Sequence, residues 1–206
     1  MITIVDYGMG NLHSVLKAFE HLGVRAQIVS EARSLETADK IVLPGVGAFA
    51  DAMTALRQMQ LVEPLIRAIN NGKPFLGICL GMQLLFEASY EDGEHAGLSV
   101  VEGEVKRFDF SERREDKNLK IPHMGWNGLD WQEEGPLFKG LENGCYVYFV
   151  HSYYVLPQDE SVLVTTTDYG GSFASSIRRD NVFAVQFHPE KSQRVGLQIL
   201  KNFAEL

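Results

Sequence analysis

The sequence is poor in cysteine: 206 residues hold two, Cys79 and Cys145, far apart and without the paired spacing of a zinc site. A disulfide framework and a thiolate zinc module are therefore excluded, and a reducing compartment fits best. Positive charge is also short, with 19 Lys and Arg against 27 Asp and Glu for a net charge of −8. A sequence-independent grip on nucleic acid or anionic membrane does not follow from such a balance. No apolar run approaches the ~20 residues that span a bilayer, and the first residues lack the basic start and long apolar stretch of a secretory signal. The expectation is a cytoplasmic protein with no nucleic-acid or membrane partner. There is no Pro/Gly/Ser-rich linker and no internal repeat, so residues 1–206 read as one domain with a sizeable core.

What is present is an alternation of short apolar runs and amphipathic segments. Residues 2–7 read as a strand, followed by a glycine turn and by Asn11 as the cap of a helix with Leu12, Val15, Leu16, Phe19 and Leu22 on one face, ended by Gly23. Strands are expected at 26–30 and 40–44, the latter running into Gly45-Val46-Gly47. Amphipathic segments at 53–59 and 61–69 then precede a strand at 75–78. This order predicts an α/β fold, a mainly parallel central sheet with helices on both faces. Beyond residue 99, strands at 100–105 and 146–150 are separated by turns, which predicts an added antiparallel portion in the C-terminal half. A last core strand at 183–187 and a helix over 192–206, burying Val195, Ile199, Leu200 and Phe203, close the chain. The segment 107–118 mixes charges of both signs and reads as a solvated loop or hairpin tip without assigned function.

The stretch with the most chemical content is Gly77-Ile78-Cys79-Leu80-Gly81. A strand leads into it and a helix-compatible run, 82–87, leads out, so it has the form of a nucleophile elbow with a thiol at the apex. Small neighbours leave room for the turn, and a helix N-terminus favours the thiolate, the form that attacks a carbonyl. A buried core cysteine is the alternative for Cys79.

A cysteine nucleophile needs a base, and the base needs a group that orients it. His188-Pro189-Glu190, just past a strand, supplies both, with Pro189 restraining the turn; a surface turn is the alternative. His151 competes for the role of base. The developing oxyanion needs fixed N–H donors, for which the amide of Leu80 and that of Val46, between two glycines, are the candidates. An ordinary tight turn is the alternative at Val46. All of these residues fall at strand ends, the rim on which active sites of parallel sheets lie.

Taken together, the elbow cysteine and the downstream His-Pro-Glu resemble the class I (triad) glutamine amidotransferases. The blocks 5–11, 44–47, 77–83, Pro122-His123-Met124-Gly125-Trp126-Asn127, 149–153 and 186–192 narrow the resemblance. They are similar to those of the family's glutaminases that work on a (β/α)8-barrel cyclase, and they cover nearly the whole chain. The resemblance implies a flavodoxin-like three-layer sandwich and hydrolysis of L-glutamine to L-glutamate and ammonia through a Cys79 thioester. It implies passage of the ammonia to the cyclase in a heterodimer that makes imidazole glycerol phosphate and aminoimidazole carboxamide ribotide, a step of histidine biosynthesis. It implies no metal and no organic cofactor. It places Gly47, Gln83, His151, Ser152 and Tyr153 around the glutamine. It places Asn11, Met124, Trp126, Asn127, Tyr148 and Lys191 on the face that meets the cyclase, although Trp126 taken alone reads as a core residue. The other readings are a glutaminase of another synthase, a γ-glutamyl hydrolase, or a regulatory subunit without catalysis. The block 122–127 discriminates against the first two and the intact triad against the third.

Overall fold

The computed structural model describes residues 1–111 and 119–206; part of the charged segment, 112–118, lies outside them. The N-terminal half runs β1 (Ile2–Val5), α1 (Leu12–His21), β2 (Ala26–Val29), α2 (Ala32–Glu36), β3 (Lys40–Gly45), α3 (Phe49–Gln58), α4 (Val62–Asn70) and β4 (Phe75–Cys79). A one-turn helix, α5 (Leu80–Gln83), then leads to β5 (Phe86–Ser89), β6 (His95–Ala96) and β7 (Val101–Arg107). The remainder is β8 (His123–Gly128), β9 (Tyr146–His151), β10 (Tyr153–Pro157), β11 (Leu163–Asp168), β12 (Ser172–Arg179), β13 (Val182–Val185) and α6 (Gln193–Glu205).

The central sheet has seven strands in the order β11-β12-β13-β4-β3-β1-β2. The five from β13 to β2 are parallel, and β12 and β11 add to that edge antiparallel. Side chains of the inner strands alternate between the two faces, as the period of two requires. Ile41, Leu43 and Phe75 join the core under α2, α3 and α4, whereas Val42, Leu76 and Ile78 join the core under α1 and α6. Each face is thus closed by helices whose apolar stripes match it, which is why the strands read as continuous apolar runs.

Two smaller sheets stand at the carboxyl end of the central one. One has the order β10-β7-β5-β6 and the other is the ribbon β8-β9. The antiparallel expectation for this half holds for the ribbon and for β7 with β10, but β5 pairs with β7 in parallel. The helix expected over 82–87 is the largest correction. It ends at Gln83, and Phe86 begins a strand because its edge finds β7, so pairing outweighs local helix propensity. Asn11 caps α1 with its backbone carbonyl, which accepts from Ser14 and Val15, and not with its side chain. Val195 is half-buried where burial was expected, and α2 had no counterpart in the sequence reading. Among the described residues, no helix is long and apolar enough to cross a membrane.

Candidate active site

Parallel pairing decides where the site falls. β3, β4 and β13 are neighbours and end on one rim, so Gly45 lies beside Cys79, and the chain leaving β13 delivers Gln186 and His188 next to them. The elbow closes because its glycines have no side chains to collide. A Cβ on Gly81 would come within 1.8 Å of the Leu43 carbonyl oxygen, and one on Gly77 within 2.7 Å of the Gly81 oxygen. Cys79 itself sits at φ 55° and ψ −109°, a conformation that costs a non-glycine residue about 1–3 kcal/mol and aims its side chain off the end of the strand.

Cys79 opens on a cavity of about 300 Å³ lined also by Val46, Gly47, Leu80 and Gln83 from the sheet rim, by His151, Ser152 and Tyr153 from the second layer, and by His188. Every residue expected to attack, to hold the oxyanion or to hold the ligand therefore lines one space, and Glu190 stands behind His188. His188 Nδ1 and Glu190 Oε1 are 2.8 Å apart, with side chains 2% and 1% exposed. His188 Nε2 has no hydrogen-bond partner among the described residues, and His188 lines the cavity. Burial pushes the His188 pKa down, but the Cys79 sulfur and the Glu190 carboxylate outweigh it and hold the value up at about 10. The carboxylate and the sulfur thus favour the protonated imidazole.

The competing base is otherwise engaged. His151 Nδ1 lies 2.8 Å from the Tyr153 carbonyl and its Nε2 lies 2.9 Å from His123 Nδ1. Burial lowers the pKa of His151 to about 3, despite the Tyr153 carbonyl, with His123 and His188 lowering it further; burial lowers that of His123 to about 4. Both rings stay neutral in a box that includes Phe108, Phe149 and Phe173.

A test of stability against pH follows. The unfolded chain takes up protons on these two histidines below about pH 6.5, where the folded one does not, so stability is lost as pH falls from 6.5 toward 4. His188 acts in the opposite direction: its contribution is complete below 6.5 and is lost as pH rises toward 10. Melting temperature measured across pH 4–7 should therefore fall on the acid side, and the fall should be shallower in His123→Phe. An equally steep fall in that variant would remove His123 as a cause.

Two residues in the site were missed by sequence reading. Glu91, in the turn after β5, lines the cavity. One of its oxygens, Oε2, accepts from the Phe49 N–H at 2.6 Å, which fixes a carboxylate there. Gln186 is fully buried and its Nε2 lies 3.6 Å from Cys79 Sγ, within reach of a donor to sulfur. The helix after the elbow is one turn long, shorter than expected, and Gln186 is a further group placed to donate toward the sulfur. A polar residue ending an apolar strand beside the His-Pro-Glu turn was the available signal for Gln186; Glu91 had none.

The residues expected to meet a partner fall mainly on the outer side of the β8-β9 ribbon. Met124 is 61% and Trp126 45% exposed, Trp126 stands edge-on to Tyr148, and the Lys191 ammonium lies over the Tyr148 ring. The start of α1, with Asn11, is on this side because α1 packs against the turn at Pro189–Lys191. Asn127 differs: it alternates to the inner side of the ribbon, where its Nδ2 reaches the Asp168 carbonyl at 2.8 Å and His123 Nε2 at 3.3 Å.

Comparison with known proteins places the chain in a family. The family described as glutamine amidotransferase class-I matches residues 3–206. The imidazole glycerol phosphate synthase subunit HisH of Syntrophotalea carbinolica is 54% identical over 206 residues, covering 100% of both chains. That of Aquifex aeolicus is 55% identical over 201 residues, 97% of this chain and 94% of the other. Among solved structures, PurLQS from Thermotoga maritima superposes with a TM-score of 0.74 over 99% of this chain and 97% of the other, at 17% identity, a likeness of fold.

Proposed function

We propose roles for the cavity residues from one premise: the chain belongs to the class I glutamine amidotransferase family. It is the glutaminase subunit of an imidazole glycerol phosphate synthase, in histidine biosynthesis. The observation that carries the assignment of roles is the buried His188–Glu190 pair facing Cys79 across the cavity.

In this reading the Cys79 thiolate attacks the side-chain amide carbon of glutamine. The N–H groups of Val46 and Leu80 hold the resulting oxyanion, each donor worth about 3–4 kcal/mol of barrier. His188 Nε2 gives its proton to the departing nitrogen, the C–N bond breaks, and ammonia leaves a thioester on Cys79. His188, held by Glu190 through Nδ1, next takes a proton from water. The hydroxide so formed adds to the thioester carbon, and expulsion of the Cys79 sulfur releases glutamate. The Glu91 carboxylate complements the α-ammonium of the substrate, and Gly47, Gln83, His151, Ser152 and Tyr153 shape the rest of its site. Both protons of the Gln83 amide are committed, to the Tyr153 carbonyl and to Gln186 Oε1, so toward a ligand Gln83 offers its own oxygen as an acceptor.

Ammonia released to water is diluted and protonated, so a glutaminase of this kind works against a synthase that consumes it. We assign the partner as a (β/α)8-barrel cyclase in a one-to-one heterodimer in the cytoplasm. It docks on Asn11, Met124, Trp126, Tyr148 and Lys191, with Asn127 behind that face and residues 1–206 acting as a single domain. The Val46 N–H belongs to the peptide that follows Gly45, a residue with no side chain to restrict rotation there, so this peptide can turn its N–H toward or away from the cavity. Glutamate release should be low for the chain alone and rise on the order of 100-fold with the cyclase and its ribonucleotide ligand, the upper range of ordinary coupling energies. A high rate independent of the partner would overturn this gating.

A further inference from the structure

The Tyr153 carbonyl oxygen sets the direction of every hydrogen bond in two buried chains that meet on it. It can only accept, so the nitrogen of Gln83, at 3.1 Å, must face it, not the oxygen. The other Gln83 proton then goes to Gln186 Oε1 at 3.0 Å, which turns the Gln186 nitrogen toward the Cys79 sulfur. On the second side, His151 must carry its proton on Nδ1 to donate to the same carbonyl. Its Nε2 is then bare and takes a proton from His123 Nδ1. His123 Nε2 is bare in turn and accepts from Asn127 Nδ2, whose orientation is fixed independently by the Asp168 carbonyl and by the Gly128 N–H on its oxygen.

We propose that His123 is a positioning residue of the glutaminase site: through His151 and the Tyr153 carbonyl it holds Gln83 and Gln186, and thereby the donor that faces the Cys79 sulfur. His123 does not line the cavity. Its donated proton is what keeps His151 in the tautomer that grips Tyr153. Without it, the buried Nε2 of His151 lacks a donor, and the ring gains by moving its proton to Nε2 or turning away, releasing the carbonyl. The Tyr153 carbonyl then loses one of the two side-chain bonds it accepts. This inference rests on the glutaminase reading above.

The test uses the assembled synthase with saturating cyclase and ribonucleotide ligand, measuring glutamate release against glutamine concentration, ammonium-supported synthesis and melting temperature. His123→Phe keeps an aromatic ring to stack on Phe149 and Tyr169 and removes both nitrogens. It should lower kcat/KM for glutamine about 10- to 100-fold, the cost of an unsatisfied buried polar group, while ammonium-supported synthesis is retained. His123→Gln, which can still donate to His151, should recover most of the loss. Asn127→Asp offers an oxygen where His123 Nε2 expects a donor; it draws the His123 proton to Nε2 and should mimic His123→Phe. Parental kcat/KM in His123→Phe, or equal losses in His123→Phe and His123→Gln that follow a fall in melting temperature, would overturn the proposal. A parental complex without glutaminase activity would instead overturn the reading on which it rests.

Discussion

Replacing Cys79 by alanine is expected to abolish glutamate release, by roughly 10⁴- to 10⁶-fold as for other nucleophile deletions, while ammonium salts still support synthesis by the assembled enzyme. The proposed tasks are separated in space. Cys79 lies on the β4–α5 elbow inside the cavity, and the residues assigned to docking stand on the outer face of the β8-β9 ribbon and the turn at Pro189–Lys191. Alanine removes one sulfur at a site 6% exposed, whose contacts to Gln186 Nε2 and the Val150 carbonyl are long, so the fold and the proposed docking face should be left as they are. What disappears is the atom proposed to form the thioester. The measurement is synthesis of imidazole glycerol phosphate with glutamine or with ammonium as nitrogen source. Loss of both activities in a complex that still assembles would contradict the division of labour.

The second large effect is expected from a single methyl group. Gly81→Ala places a Cβ 1.8 Å from the Leu43 carbonyl oxygen. That oxygen belongs to β3, a central strand held by β1 and β4, so neither partner can give way by a side-chain rotation. The elbow must lift from β3, at a cost of about 1–3 kcal/mol or more for such overpacking. The same movement should draw Cys79 and Leu80 away from Val46, so the sulfur and the two proposed oxyanion donors would lose their common focus. Glutaminase activity in the complex should drop on the order of 100-fold or more, in keeping with the steep cost of misplacing a catalytic group. Melting temperature should fall by several degrees. Gly128→Ala is the control: its nearest neighbour would be 3.5 Å away, and both properties should stay near the parental values. Parental turnover in Gly81→Ala would show that the elbow has slack that its packing denies.

The parts of the site that could be read in advance are those whose chemistry is compressed into contiguous residues. Gly77 to Gly81 is legible because a strained turn, its clearance and its nucleophile must be adjacent in sequence. His188 and Glu190 are legible because the ring and its carboxylate partner are two residues apart. Gln186 and Glu91 lie outside such motifs. Gln186 reaches the sulfur from 107 positions away, through the pairing of β13 with β4, and Glu91 reaches the cavity from a turn whose polar residues look alike in sequence. In the fold, the parallel core was legible from its buried runs, each too apolar for an exposed face. The stretch after Gln83 was not, because a short apolar run suits a helix or a buried strand equally, and the choice was made by the edge of β7, which residue order does not display. Asn127 shows the same limit at finer grain. Its block suggested the outer surface, and only the register of the ribbon, with Asn127 opposite Val147, turns its amide inward.

That register has a consequence for how such a protein can change. Met124 and Trp126 point one way from the strand, while His123 and Asn127, one position off, point the other. With the roles proposed for these residues, recognition and active-site order fall on opposite sides of a single ribbon, at alternate letters. On that assignment, substitutions at the even positions would follow a drifting cyclase, or be chosen to fit a foreign one, without altering the catalytic interior.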